Sequence, residues 1–211
     1  MSTKLILATF AVLAAFLSFD ITPRPQDEKK PGGPSALPTQ DEMKKMMEMY
    51  EKAAVVGEPH KFLAKLVGKW TSVMKTESMP GMPGEQSAGT SETRSILGGR
   101  QVVLTSQGTM MGKPFNSFMV IGYDNVTKEF VATNCDDLST GQYQTRGQLD
   151  ASGKILELKG EMRDAMTPDK GRPWRMVFTI ESDDKHVLEI YDTITPGQEM
   201  KVVTVTISRA K

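Results

Sequence analysis

The sequence predicts an all-β fold: an up-and-down antiparallel β-barrel of about ten strands, led by short N-terminal helices. Three observations carry this. From Trp70 onward the apolar period changes from 3.6 to 2 and stays there to the C-terminus. Turn chemistry interrupts the chain at regular hairpin spacing with no helical crossover, which excludes a parallel α/β sheet. Finally, Thr90–Ser95 and Gln142–Gln148 have no strongly apolar face. A solidly packed core demands one on every strand, so these segments read as walls of a partly polar lumen.

Composition narrows the function classes. The chain has 211 residues, and Lys+Arg and Asp+Glu balance at 26 each, so no charge surplus attracts a nucleic-acid backbone. A single cysteine, Cys135, excludes an internal disulfide framework and a thiolate zinc cluster, and reads as a small buried hydrophobe. Two histidines, His60 and His186, are too few for a His-rich metal site. A G-x-S-x-G elbow, a phosphate loop and a dinucleotide fingerprint are all missing from the sequence. No cofactor and no metal is expected.

The first element is a leader, residues 1–20. Lys4 precedes an apolar run from Leu5 to Phe19, the pattern of a secretory signal. At ~1.5 Å per residue the run covers roughly 22 Å, short of a ~30 Å hydrocarbon core. It is expected to direct export, as a cleaved signal or as an uncleaved membrane tether, to the periplasm or the outside. Residues 21–38 carry Pro23, Pro25, Pro31, Pro34 and Pro38 around Asp27-Glu28-Lys29-Lys30. Such a stretch buries too little to offset its ordering entropy and reads as a flexible linker.

Residues 39–57 predict an amphipathic helix. Thr39-Gln40-Asp41-Glu42 is a capping-box pattern, Met43, Met46, Met47, Tyr50 and Ala54 form one apolar stripe, and Gly57 with Pro59 ends it. The Met-rich stripe fits either the chain's own barrel or a groove on a partner protein. The barrel domain, 58–211, then opens on a helical turn, His60–Leu66, that offers Phe62, Leu63, Leu66 and Val67 to a core.

Strands are predicted at Trp70–Glu77, Thr90–Leu97, Gln101–Met110, Phe115–Asp124, Glu129–Asp136, Gln142–Asp150, Ile155–Met162, Trp174–Glu181, His186–Thr193 and Met200–Arg209. Gly98-Gly99, Gly112-Lys113-Pro114, Asp124–Lys128, Asp150–Gly153, Ser182–Asp184 and Pro196-Gly197 supply the turns. Met79-Pro80-Gly81-Met82-Pro83-Gly84 lies in the longest gap and predicts an exposed loop. Asn125-Val126-Thr127 is formally a glycosylation sequon, short enough to arise by chance, and carries no weight.

Read together, Pro59-His60-x-x-Leu63-x-x-Leu66-x-Gly68-x-Trp70, Gly89-Thr90-x-Glu92, Leu97-Gly98-Gly99-Arg100, Met111–Phe115, Gly122-Tyr123-Asp124, Asp136 and Thr206–Arg209 resemble a bacterial family of uncharacterised lipocalin-like (calycin-type) barrel domains. The likeness covers Glu58 to the end. It implies a barrel and no particular reaction. Asn134 stands where relatives often carry an aromatic residue, which makes that wall more polar. Haem-binding barrels of related shape need an axial His on a late strand. Here His186 begins its strand beside Asp183-Asp184-Lys185, nearer a turn than a lumen.

The candidate site residues follow from these assignments. Trp70 either contacts a ligand or plugs the barrel end against the preceding helix and Arg209. His60, in a helical first turn, reads as a capping residue of the same closure. Glu92 with Arg94, and Gln142 with Gln144 and Arg146, share strand faces; turned inward they grip a polar head group, turned outward they are solvated. Tyr123 fits the barrel rim, Asp124 a hairpin turn, and Asp136 completes the candidate ligand set. The combined expectation is an exported barrel that binds a small amphipathic or hydrophobic molecule without transforming it. Two alternatives stand beside it. One is an enzyme using His60, Asp136 or Glu189 as acid or base, and the other a scaffold with a filled barrel whose Met-rich helix docks a partner.

Overall fold

In a computed structural model, residues 37–78, 83–165, 167–195 and 197–211 are described. The leader, most of the Pro-rich linker, Met79–Met82 of the long loop and Pro196 lie outside the described residues. Residues 1–43 and 44–211 form separate units, and the barrel lies wholly within the second.

Helix α1 (Gln40–Ala53) begins with a reciprocal cap. The Glu42 carboxylate accepts the Thr39 N–H at 2.7 Å, and Thr39 Oγ1 accepts the Glu42 N–H at 3.3 Å. None of its residues is buried, so the methionine stripe is not a core face. Beyond its C-terminus, the Asn125 side-chain amide donates to the Ala53 and Val55 carbonyls at 2.9 and 2.6 Å. The amide of the sequon therefore has a structural use, pinning residues 53–55 to the turn after Asp124.

Helix α2 (Glu58–Leu66) has Pro59 in its first turn, and the Gly57 N–H donates to His60 Nδ1 at 3.0 Å. Phe62, Leu63 and Leu66 are buried. Gly68 makes the step from α2 into the first strand at φ 147°, and a Cβ there would lie 2.6 Å from Arg209 Nη1. Only glycine fits that corner.

Ten antiparallel strands follow: β1 (Gly68–Thr76), β2 (Gln86–Ile96), β3 (Gln101–Met110), β4 (Lys113–Asp124), β5 (Glu129–Asp136), β6 (Tyr143–Leu149), β7 (Ile155–Met162), β8 (Arg172–Ser182), β9 (Lys185–Thr195) and β10 (Gln198–Arg209). Each pairs with its sequence neighbours, and β1 closes on β10 with Trp70 opposite Arg209. Closure leaves no free sheet edge. This is the all-β, up-and-down barrel that the hairpin pattern predicts. Several strands start or end beyond their expected bounds, and β2 is extended most at its start: it begins at Gln86 rather than Thr90, because Gln86–Gly89 pair with Ser72–Lys75. That stretch is held by ladder hydrogen bonds, and its side chains give no apolar alternation to read.

The lumen has two unlike halves. At the end where α2 sits, Phe62, Leu63 and Leu66 pack onto Val102, Ile121, Phe130, Leu156, Leu158, Phe178 and Ile180. Trp70 is 2% exposed and seals this end, its Nε1–H donating to the Leu66 carbonyl at 3.0 Å. The Arg209 guanidinium lies over the Trp70 indole at 4.3 Å and is itself held by Asp184 at 2.7 Å. His186 corrects its sequence reading. It does not sit out by a turn but points inward, buried, with its ring 4.4 Å from that of Trp70. The reason is register: His186, Leu188, Ile190 and Asp192 share the inner face of β9.

Candidate ligand cavity in the barrel lumen

The half of the lumen away from α2 is hollow. A cavity of about 300 Å³ lies there, at the lower bound of ordinary small-molecule sites. Its two walls differ in chemistry. On β7 to β10 the inner face is apolar, with Met162, Met176, Ile190, Val203 and Val205. On β2 to β5 one polar cross-strand row, Ser91, Ser106, Ser117 and Asp136, each directly opposite the next, crosses a face that also carries Leu104, Met110, Phe115 and Met119. The row below it, Thr93, Leu104, Met119, Asn134 and Tyr143, grades into the core.

Two of its lining residues hold an unsatisfied polar atom: Asn134 Oδ1 and Trp174 Nε1 are buried behind the cavity surface without a partner among the described residues. Trp174 is only 4% exposed, and its Nε1 sits above Gly160, 3.1 Å from where a Cβ would be. A side chain there would fill the space the indole occupies. A buried donor or acceptor left unmade costs about 1–3 kcal/mol. The Asp136 carboxylate accepts the Leu138 N–H at 3.0 Å and pairs with no cation among the described residues.

A buried ion cluster borders the cavity at its loop-ringed end. Arg172 donates from Nε and Nη2 to the two oxygens of Asp192, at 2.8 and 3.0 Å. It also donates to both oxygens of Asp164, at 2.9 and 2.8 Å, and to Thr167 Oγ1 at 3.0 Å. Hydrogen bonds donated to Asp164 and then Asp192 hold its pKa above the ordinary arginine value. The cluster ties β8 to β9 and to the loop after β7. It also occupies all the donors of the one guanidinium near the lining residue Asp192.

Among the residues expected at a ligand, Asp136 lines the cavity. Glu92, Arg94, Gln144 and Arg146 do not. They are exposed on the outer face, while Ser91, Thr93, Tyr143 and Thr145 take the inner positions of β2 and β6. Gln142, just before β6, is exposed as well. This corrects the inward reading, and the cause is that a charge or a long amide costs more to bury than a small hydroxyl. Trp70 lies at the packed end, out of the cavity. Tyr123 is there too, edge-on to His60 and to Phe130 at 5.8 and 5.0 Å between ring centres. Asp124 holds the β4–β5 turn by accepting the Val126 N–H at 2.8 Å and the Thr127 hydroxyl at 3.0 Å, which lowers its pKa. Cys135 is half-buried on the outer face opposite Phe118 rather than in the core.

The acid–base candidates are not brought together. His60 is spent on the Gly57 amide, and Glu189 lies outside the barrel against Lys201 at 2.8 Å, a contact that lowers its pKa. The residues that sequence reasoning missed carry a signal in hindsight. Arg172 and Asp192 interrupt the apolar inner faces of two adjacent strands with opposite charges, a pattern that asks for a mutual partner.

The crystal structure of Rv2717c from M. tuberculosis resembles this barrel with a TM-score of 0.56 at 13% identity, over 74% of this chain and all (100%) of that one, a likeness of fold alone. A redesigned β-barrel aligns over 71% of this chain and 95% of its own at 13% identity, with a TM-score of 0.37 that carries no argument. No curated protein matches the chain. The family model "Protein of unknown function (DUF1579)" matches residues 56–209, from just before α2 to the end of β10. The chain belongs to the DUF1579 family of proteins of unknown function.

Proposed function

We propose that the barrel is a carrier, holding a small amphipathic or hydrophobic molecule in its lumen without transforming it. The supporting observation is the cavity of about 300 Å³, where a row of hydroxyls and a carboxylate faces the apolar side chains of β7 to β10 in a largely apolar lining. A filled scaffold has no such space, and an amphipathic guest satisfies both walls at once. The kinship to lipocalin-like carriers is one of use, since lipocalins close with about eight strands and this barrel with ten. We also propose export, on the strength of Lys4 and the apolar run Leu5–Phe19 in the sequence.

Native mass spectrometry of the protein purified from its own source tests the carrier. An added small-molecule mass that is lost on denaturation is expected. Ser106→Trp, which projects an indole from the polar wall into the cavity, should abolish it. A guest-free protein that also binds no apolar compound in solution would overturn the reading.

A further inference from the structure

Resting on that reading, we infer that the lumen selects its guest by charge, favouring a protonated amine head and rejecting a carboxylate. Three observations converge on this. First, the cavity lining includes the carboxylates Asp136 and Asp192 and, among the described residues, no Lys, Arg or His. Second, the guanidinium closest to hand, Arg172, is already shared between Asp192 and Asp164, so the cluster carries no spare positive charge. Third, acceptors gather at one place. Asn134 and Asp136 lie two apart on the inner face of β5, roughly 7 Å along the strand. Ser117 stands directly opposite Asp136. Asn134 Oδ1 is buried without a partner among the described residues.

An ammonium has three donors and one positive charge. It can be met by the Asp136 carboxylate and by the Ser117 and Ser106 hydroxyls of the same row, while its tail lies along Met176, Ile190 and Val203. A carboxylate head meets the reverse situation. The donors it finds are neutral, the Ser106 and Ser117 hydroxyls among them, and they do not balance its repulsion from Asp136 in the same row. At about 30 Å³ per water-sized group, the space suits a guest of on the order of ten non-hydrogen atoms.

The test uses 1-octylamine, 1-octanol and octanoate, matched in chain length, titrated near neutral pH. The chain has two tryptophans, so its indole N–H resonances separate the two halves of the lumen. Trp174 faces the cavity, and Trp70 is bonded to Leu66 at the packed end. Octylamine should move the Trp174 resonance at a concentration at least about tenfold lower than octanoate. Asp136→Asn, which keeps an oxygen for the Leu138 N–H, should erase the advantage of octylamine over octanol. An undisturbed Trp70 resonance shows that the variant is folded. Octanoate binding as tightly as octylamine overturns the charge selection and leaves the carrier standing, as does an amine preference that survives Asp136→Asn. If none of the three moves Trp174, the carrier reading falls and this inference with it.

Discussion

His186 shows what burial does to a single side chain. It is 3% exposed, stacked against Trp70, and its Nε2 has no partner among the described residues. Burial first, and the Arg209 charge second, lower its pKa below the usual histidine value. The folded state therefore holds it neutral where the unfolded chain takes up a proton at about pH 6.5. Stability from this residue is complete above that pH and is lost as pH falls from there through the folded-state pKa. The melting temperature is expected to fall by a few degrees between about pH 7.5 and 5.5, and His186→Gln should flatten that slope. Equal slopes for the two proteins would show that the buried imidazole is not responsible. Arg172 is the opposite case, a buried cation whose charge is fully answered by two carboxylates.

At the scale of elements, α2 and its seat make the packed end. Leu63 is 1% exposed there, so Leu63→Ala should cost about 2–5 kcal/mol in urea unfolding. A loss under about 1 kcal/mol would mean that the helix is not seated as described. Elements like this were legible in the sequence because they alternate strongly: β8 reads Trp174, Met176, Phe178 and Ile180 on one face, and the turns carry glycine or aspartate. The facing of β2 and β6 was not legible, since hydroxyls inside and charges outside are both polar and period 2 cannot separate them. Size was the usable clue. Ser87, Gly89, Ser91 and Thr93 are all small at alternate positions, whereas the other face carries Gln86, Glu92 and Arg94 beside the small Ala88 and Thr90. The polar row was hidden for another reason: Ser91, Ser106, Ser117 and Asp136 come from four strands and meet only through register. Asn134 was readable as a polar wall position, but its lack of a partner depends on neighbours that no local pattern reveals.

For the molecule as a whole, closure and hollowness go together. Ten strands, joined edge to edge from β1 to β10, enclose more width than their own side chains fill, and α2 makes up the difference at one end only. The other end keeps its void of about 300 Å³. That void has a volumetric signature. Water reaches every atom of an unfolded chain, so the native state is the bulkier of the two by an amount that scales with its internal empty space. Hydrostatic compression should therefore unfold this barrel readily, and saturating 1-octanol should lift the half-unfolding pressure. A midpoint indifferent to octanol bound in the lumen would locate the compressible space elsewhere. The same hollow proposed to hold a guest leaves the protein least able to withstand being squeezed when it is empty.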